Sequence, residues 1–132
     1  MKTSEGNRLI YISGAALCLL LMICILLFFP KTGWIRGTAG DFIVVVFLYF
    51  SLRGSFLLSP IRSALISLAV SFGIEGLQYL RILDLLHLSD FKAARIIFGS
   101  VYDPMDLIAY AAGAGAAFFS DTGFLSFCSP EQ

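Results

Sequence analysis

The sequence predicts an all-α membrane protein: a single domain, residues 1–132, of four transmembrane helices with a short interfacial or re-entrant helix between the third and fourth. Three observations predict it. The chain of 132 residues is 58% hydrophobic and only 14% charged, with thirteen phenylalanines, more apolar material than a soluble domain of this length can bury. Its mean hydropathy is +0.88. Apolar runs of bilayer length recur along it, and Pro30, Pro60 and Pro104 punctuate them. Formal net charge is zero, so no basic field points to nucleic acid. Cys18, Cys24, Cys128 and the single His87 imply neither a disulfide framework nor a metal site, and no cofactor is indicated.

The first span, about 9–29, is an uninterrupted apolar run measuring about 31 Å at helical rise. Lys2 and Arg8 precede it as in a signal peptide, but it is too long for the apolar core of one, and Phe28-Phe29-Pro30-Lys31 offers no small-residue cleavage site. It reads as an uncleaved span, with Trp34 in the interfacial aromatic belt. The second span, about 39–58, has Asp41 near its start and Arg53 near its end, where the guanidinium is expected to snorkel to water. Pro60 makes a tight turn into the third span, about 61–80. The fourth, about 104–119, is rich in small residues, and Ala109/Gly113/Ala117 reads as a close helix-packing stripe. Residues 82–102 form the interfacial segment, where Ser89 is expected to cap a helix from Asp90 to Phe98 ended by Gly99. The tail from Ser120 reads as an exposed end.

Counting crossings sorts the polar residues. With the N-terminal side called A and the opposite side B, residues Arg36, Asp41, Glu75, Gln78, Arg81, Arg95, Asp103 and Asp106 fall on or near side B. Glu75 stands out, because a carboxylate that deep in a span costs about 3 kcal/mol by insertion scales and needs a partner or a task. Ser63, Ser67, Ser71, Glu75 and Gln78 step by four, four, four and three along one helical face. That face is either a serine packing surface ending in a carboxylate or a functional one. Asp103, Asp106, Tyr110, Gly113 and Ala117 share a face of the fourth span. Asp103 before Pro104 suits an N-cap, and Asp106 suits either the helix dipole or a site. The candidate ligand-binding cluster is therefore Arg36, Asp41, Glu75, Gln78, Arg95, Asp106 and Tyr110. Arg36 and Arg95 supply cations, and Tyr110 is placed to donate a hydrogen bond from the opposite wall.

Arg36-Gly-Thr-Ala-Gly40-Asp41, Glu75-Gly-Leu-Gln78, Arg95-Ile-Ile-Phe-Gly99 and Asp106-Leu-Ile-Ala-Tyr110-Ala-Ala-Gly113 together resemble the VanZ-like family of small bacterial membrane proteins. The order and spacing are closer still to the relatives grouped as domain of unknown function 2809. The resemblance implies a four-helix protein of the bacterial inner membrane. VanZ-like proteins usually carry Asn at the position of Tyr110, so a role for that amide does not transfer to this chain.

Three readings of function follow. In the first, the side-B cluster binds or acts on an amphipathic, lipid-linked or cell-envelope-related molecule, with Glu75 as base or acceptor and Arg95 as anion clamp; no nucleophile is identified, so an enzyme is neither required nor excluded. In the second, the ion pairs only lock four helices together in a structural or accessory protein. The third is proton or ion conduction along Glu75 and the serine face, for which four short spans are few unless the chain oligomerises. The lipid bilayer is the expected partner, and the oligomeric state is open. Lys and Arg divide almost evenly between the two sides, and the reading adopted places both termini in the cytoplasm.

Overall fold

The computed structural model describes residues 2–29, 33, 35–87, 90–92 and 104–125. Helix α1 runs over Lys2–Phe28 and α2 over Gly40–Phe56, entered through a π-helical turn at Ile35–Ala39. Helix α3 covers Pro60–Tyr79, a single turn α4 covers Ile82–Leu85, and α5 covers Pro104–Phe119. Among the described residues no strand occurs.

The helix limits have local causes. Leu57 closes α2 in the left-handed conformation at φ 53°, and Ser59 is extended so that Pro60 can take the first position of α3, where its missing N–H is no loss. Arg81 and His87 turn the chain at φ 51° and 56° around α4. Among the described residues, three helices are long and apolar enough to cross a membrane, over Arg8–Phe28, Gly37–Phe56 and Pro60–Tyr79. The 16 residues of α5 span only about 24 Å as an α-helix.

Helix α2 is the centre of the bundle and packs against α1, α3 and α5, while α3 also packs against α5. Gly14 lies beneath Phe50, and Gly54 beside Tyr11 and Ile12, so α1 and α2 run antiparallel. Val45 meets Tyr110 and Ala114, and Tyr49 meets Ala117, so α2 and α5 run parallel. The tightest approach is at Gly113: a Cβ there would stand 2.7 Å from the Phe42 carbonyl oxygen. The Ala109/Gly113/Ala117 stripe therefore lets two backbones meet, as small residues do between membrane helices.

Burial is inverted relative to a water-soluble bundle. Among the described residues, the largest fully buried side chains are Tyr49, Glu75, Val45, Ser63, Ser67 and Ser71. Leu, Ile and Phe point outward instead, with Leu27 70% exposed, Phe28 75%, Leu65 59% and Ile108 63%. An outer surface of that kind is stable against hydrocarbon and not against water.

Two expectations are corrected here. The chain beyond Phe119 is not an exposed end at its start: Ser120–Leu125 continues α5 as a π-helical segment, and Asp121 is 2% exposed. Arg53 does not simply snorkel; its side chain turns onto Asp121, and the ion pair holds both inside. Ser89, Arg95, Asp103, Cys128 and nearly all of the helix expected from Asp90 to Phe98 lie outside the described residues.

Candidate functional site

Among the described residues, two buried polar centres occupy opposite ends of the bundle. The first is built on α3. Its four-residue spacing turns Ser63, Ser67, Ser71 and Glu75 inward together, at 0%, 0%, 2% and 1% exposure. From α5, the Tyr110 hydroxyl donates to Glu75 Oε2 at 3.3 Å, a long bond near the outer limit of useful geometry. Tyr110 is held for this by Val45 and Ala114 on its flanks and by Phe72, whose ring centroid is 6.3 Å away. Asp41, in the first turn of α2, and Asp106, in the first turn of α5, are both half-buried, and their charges bear on the Tyr110 hydroxyl together with that of Glu75. Gln78 lies one turn beyond Glu75, and its Oε1 is buried without a hydrogen-bond partner, as are the hydroxyls of Ser63, Ser67 and Ser71.

Of the seven residues singled out from sequence, the structure thus brings Asp41, Glu75, Asp106 and Tyr110 to one place, with Gln78 adjacent. Arg36 lies in the π-helical turn that leads into α2. Its side chain and Arg95 fall outside the described residues. Among the described residues no group of His, Cys, Asp and Glu could hold a metal ion. An open apolar groove of about 490 Å³ runs between α2 and α5, lined by Phe42, Ile43, Met105, Ile108, Ala109 and Ala112; Asp41, Glu75, Asp106 and Tyr110 do not line it.

The second centre was not anticipated. Asp121 accepts hydrogen bonds from Tyr11 Oη at 2.6 Å, Tyr49 Oη at 2.5 Å and Arg53 Nε at 2.7 Å. Arg53 Nη2 also donates to Tyr11 Oη at 2.6 Å, and the guanidinium lies 4.6 Å from the centroid of that ring. Arg53 Nη1 donates to the Leu58 carbonyl, which ties the α2–α3 turn to the same network. Every charge here meets an opposite charge or a hydroxyl, which is the condition for keeping an ion pair out of water. The sequence did carry a signal. Asp121 continues the four-residue stripe of Ala109, Gly113 and Ala117, and Arg53 follows Tyr49 by four on the packed face of α2.

Outward-facing apolar helices around a polar, partly charged interior are the build of a helical membrane protein. Residues 30–114 match the family model described as "Protein of unknown function (DUF2809)", and the chain belongs to that family. No curated protein and no solved structure matches it. The matched segment holds every described residue of the Glu75 centre, together with Tyr49 and Arg53; Tyr11 and Asp121 lie outside it.

Proposed function

We propose that this chain is a four-span protein of the bacterial inner membrane, related to the VanZ-like proteins, whose side-B end binds an amphipathic, lipid-linked molecule of the cell envelope. The observation that carries the reading is that the groove residues Phe42 and Ala109 are the chain neighbours of Asp41 and Tyr110, which places an apolar surface one residue away from the polar centre on both α2 and α5. A headgroup would hydrogen-bond to Glu75 and Tyr110 between the first turns that carry Asp41 and Asp106. A hydrocarbon chain would lie along Phe42, Ile43 and Ile108, on a surface that already faces lipid. The groove volume is in the range of small-molecule sites. The π-helical segment after Phe119 lengthens α5, which supports its reading as a fourth span.

A scaffold reading is favoured at the other end, where the Asp121 network is closed and joins α1, α2 and the end of α5. The two readings divide the molecule rather than compete for it.

The test is ligand-induced stabilisation of the full chain in detergent, with a polyprenyl phosphate as probe. A ligand at 100 times its Kd stabilises by about 2.7 kcal/mol. The expected result is a probe-dependent rise in melting temperature for the wild type that Glu75→Gln abolishes while its probe-free melt stays near wild type. An unchanged response of Glu75→Gln to the probe, or a collapse of its probe-free melt, sinks the reading of Glu75 as a ligand-binding group.

A further inference from the structure

The acids at the side-B end are already engaged. Asp41, Glu75 and Asp106 each interact with more than the Tyr110 hydroxyl. The polar atoms without a hydrogen-bond partner there are neutral ones on α3, Gln78 Oε1 and the Ser71 hydroxyl, one turn to either side of Glu75. They differ in reach. Ser71 is sealed on the inner side of Glu75, with Ser67 and Ser63 behind it. Gln78 is half-buried in the last turn of α3, between Glu75 and side B.

Gln78 is held in place by its own helix end. The Leu80 N–H donates to the Gly76 carbonyl at 3.1 Å and the Arg81 N–H to the Gln78 carbonyl at 3.0 Å, so the backbone that carries the side chain is fixed. Leu77, Tyr79 and Leu80 are exposed on the outer face, whereas the Gln78 side-chain oxygen is buried. Methionine would fill the same volume with no polar atom, so packing alone does not account for an amide there. A buried acceptor is unfavourable until a donor meets it. The surroundings select the donor. α3 ends toward side B, and its last turn carries the negative end of the helix dipole, with Glu75 one turn below. That field repels an anion. An ammonium taken out of water needs a carboxylate of its own, and the carboxylates here have partners. A hydroxyl needs only the neutral acceptor that Gln78 supplies.

We propose that Gln78 sets the specificity of this site: its Oε1 accepts a hydrogen bond from a hydroxyl of the headgroup, and the molecule bound is a lipid-linked sugar in preference to a bare lipid phosphate. The proposal rests on the lipid-linked reading of this end and names the headgroup class. The hydrocarbon chain keeps its place along Phe42, Ile43 and Ile108, and Glu75 and Tyr110 meet the headgroup one turn deeper. Gln78 adds the contact that tells one headgroup from another.

The experiment is probe binding to the full chain in a dimethylamine oxide detergent, whose headgroup has no hydroxyl to compete. The probes are a polyprenyl phosphate, the same lipid with one hexose on the phosphate, and that glycolipid with its hexose O-methylated, which keeps the sugar but no donor. The wild type is expected to bind the hexose form about threefold to tenfold more tightly than the other two, the worth of one neutral hydrogen bond. Gln78→Met should bring all three probes to the affinity of polyprenyl phosphate, which itself stays unchanged. Its probe-free melting temperature should not fall, since it deletes an acceptor that has no partner; a fall shows that Oε1 is bonded in the free protein and removes the premise. Gln78→Leu repeats the test with a second side chain. Equal affinity of the wild type for the three probes overturns the proposal and leaves the lipid-linked reading standing. Equal affinity for the free and O-methylated hexose overturns the hydroxyl contact. A hexose preference that survives both Gln78 variants overturns the role of Gln78, and no binding of any probe overturns the lipid-linked reading and this proposal together.

Discussion

The Asp121 end and the Glu75 end both bury a carboxylate among tyrosines, and they do it differently. Around Asp121, two phenols and a guanidinium converge at 2.5 to 2.7 Å, and Arg53 spends its remaining donors on Tyr11 and Leu58. Around Glu75, the tyrosine stands at 3.3 Å, and Ser71 and Gln78, the neighbours one turn away on either side, keep polar atoms without partners. The first arrangement uses up its hydrogen-bonding capacity and locks helices. The second holds capacity in reserve, which is what a site that must accept a ligand or water requires.

The largest effect expected from this contrast is at the lock. Arg53→Met leaves Asp121 buried without its cation, which costs about 3–5 kcal/mol when one partner of a buried pair is removed. Unfolding in mixed micelles with increasing anionic detergent measures it. The double variant Arg53→Met/Asp121→Leu should regain most of the loss, since a buried pair replaced by apolar groups is often close to neutral. A single variant within about 1 kcal/mol of wild type would make the network an exposed pair in energetic terms and end the comparison.

A smaller effect is expected where α2 meets α5, about one turn along α5 from Tyr110. Gly113→Val places a Cβ where the Phe42 carbonyl oxygen lies 2.7 Å away, a backbone contact that cannot rotate aside. α2 and α5 must separate, at about 1–3 kcal/mol. Gly54→Ala is milder, because its Cβ would meet Ile12 Cγ1 at 3.0 Å and the nearest backbone atom, Ile12 N, only at 3.3 Å. The same unfolding titration ranks the two, and equal costs would show that the α2–α5 contact is not the tighter one.

What sequence could and could not show follows from the range of the interactions. The apolar runs and prolines are local: α3 lies at Pro60–Tyr79 against an expected 61–80, whereas α1 begins at Lys2, ahead of the apolar run expected from 9. Glu75 was legible because a charge inside an apolar run has a cost regardless of fold, and the serine face because a step of four fixes direction on a helix. Arg53 was misread because a cation near a helix end satisfies itself equally by snorkelling or by pairing. Its partner, Asp121, is 68 positions away. Asp121 was hidden by the small polar residues around it, which resemble a solvated tail although its register continues the packed stripe. The family resemblance added the kinship with domain of unknown function 2809, which the match over residues 30–114 bears out.

The finest test removes one hydroxyl at each end. Tyr49→Phe deletes a 2.5 Å bond to a carboxylate that is also paired with Arg53, and Tyr110→Phe deletes a 3.3 Å bond to Glu75. Bonds between membrane helices average about 0.6 kcal/mol and reach about 1.7 at most, so Tyr49→Phe should lie near the upper value and Tyr110→Phe near or below the mean. The order matters more than either size. Tyr49 lies at 0% exposure inside a satisfied network, so its loss leaves an acceptor that no neighbour is free to reach. Tyr110 gives Glu75 only a 3.3 Å bond, and Ser71 and Gln78, one turn from Glu75 on α3, keep polar atoms without partners, so the loss of that bond should cost less. If Tyr110→Phe proves the costlier change, the reserve ascribed to the Glu75 end is absent, and that end too is a lock.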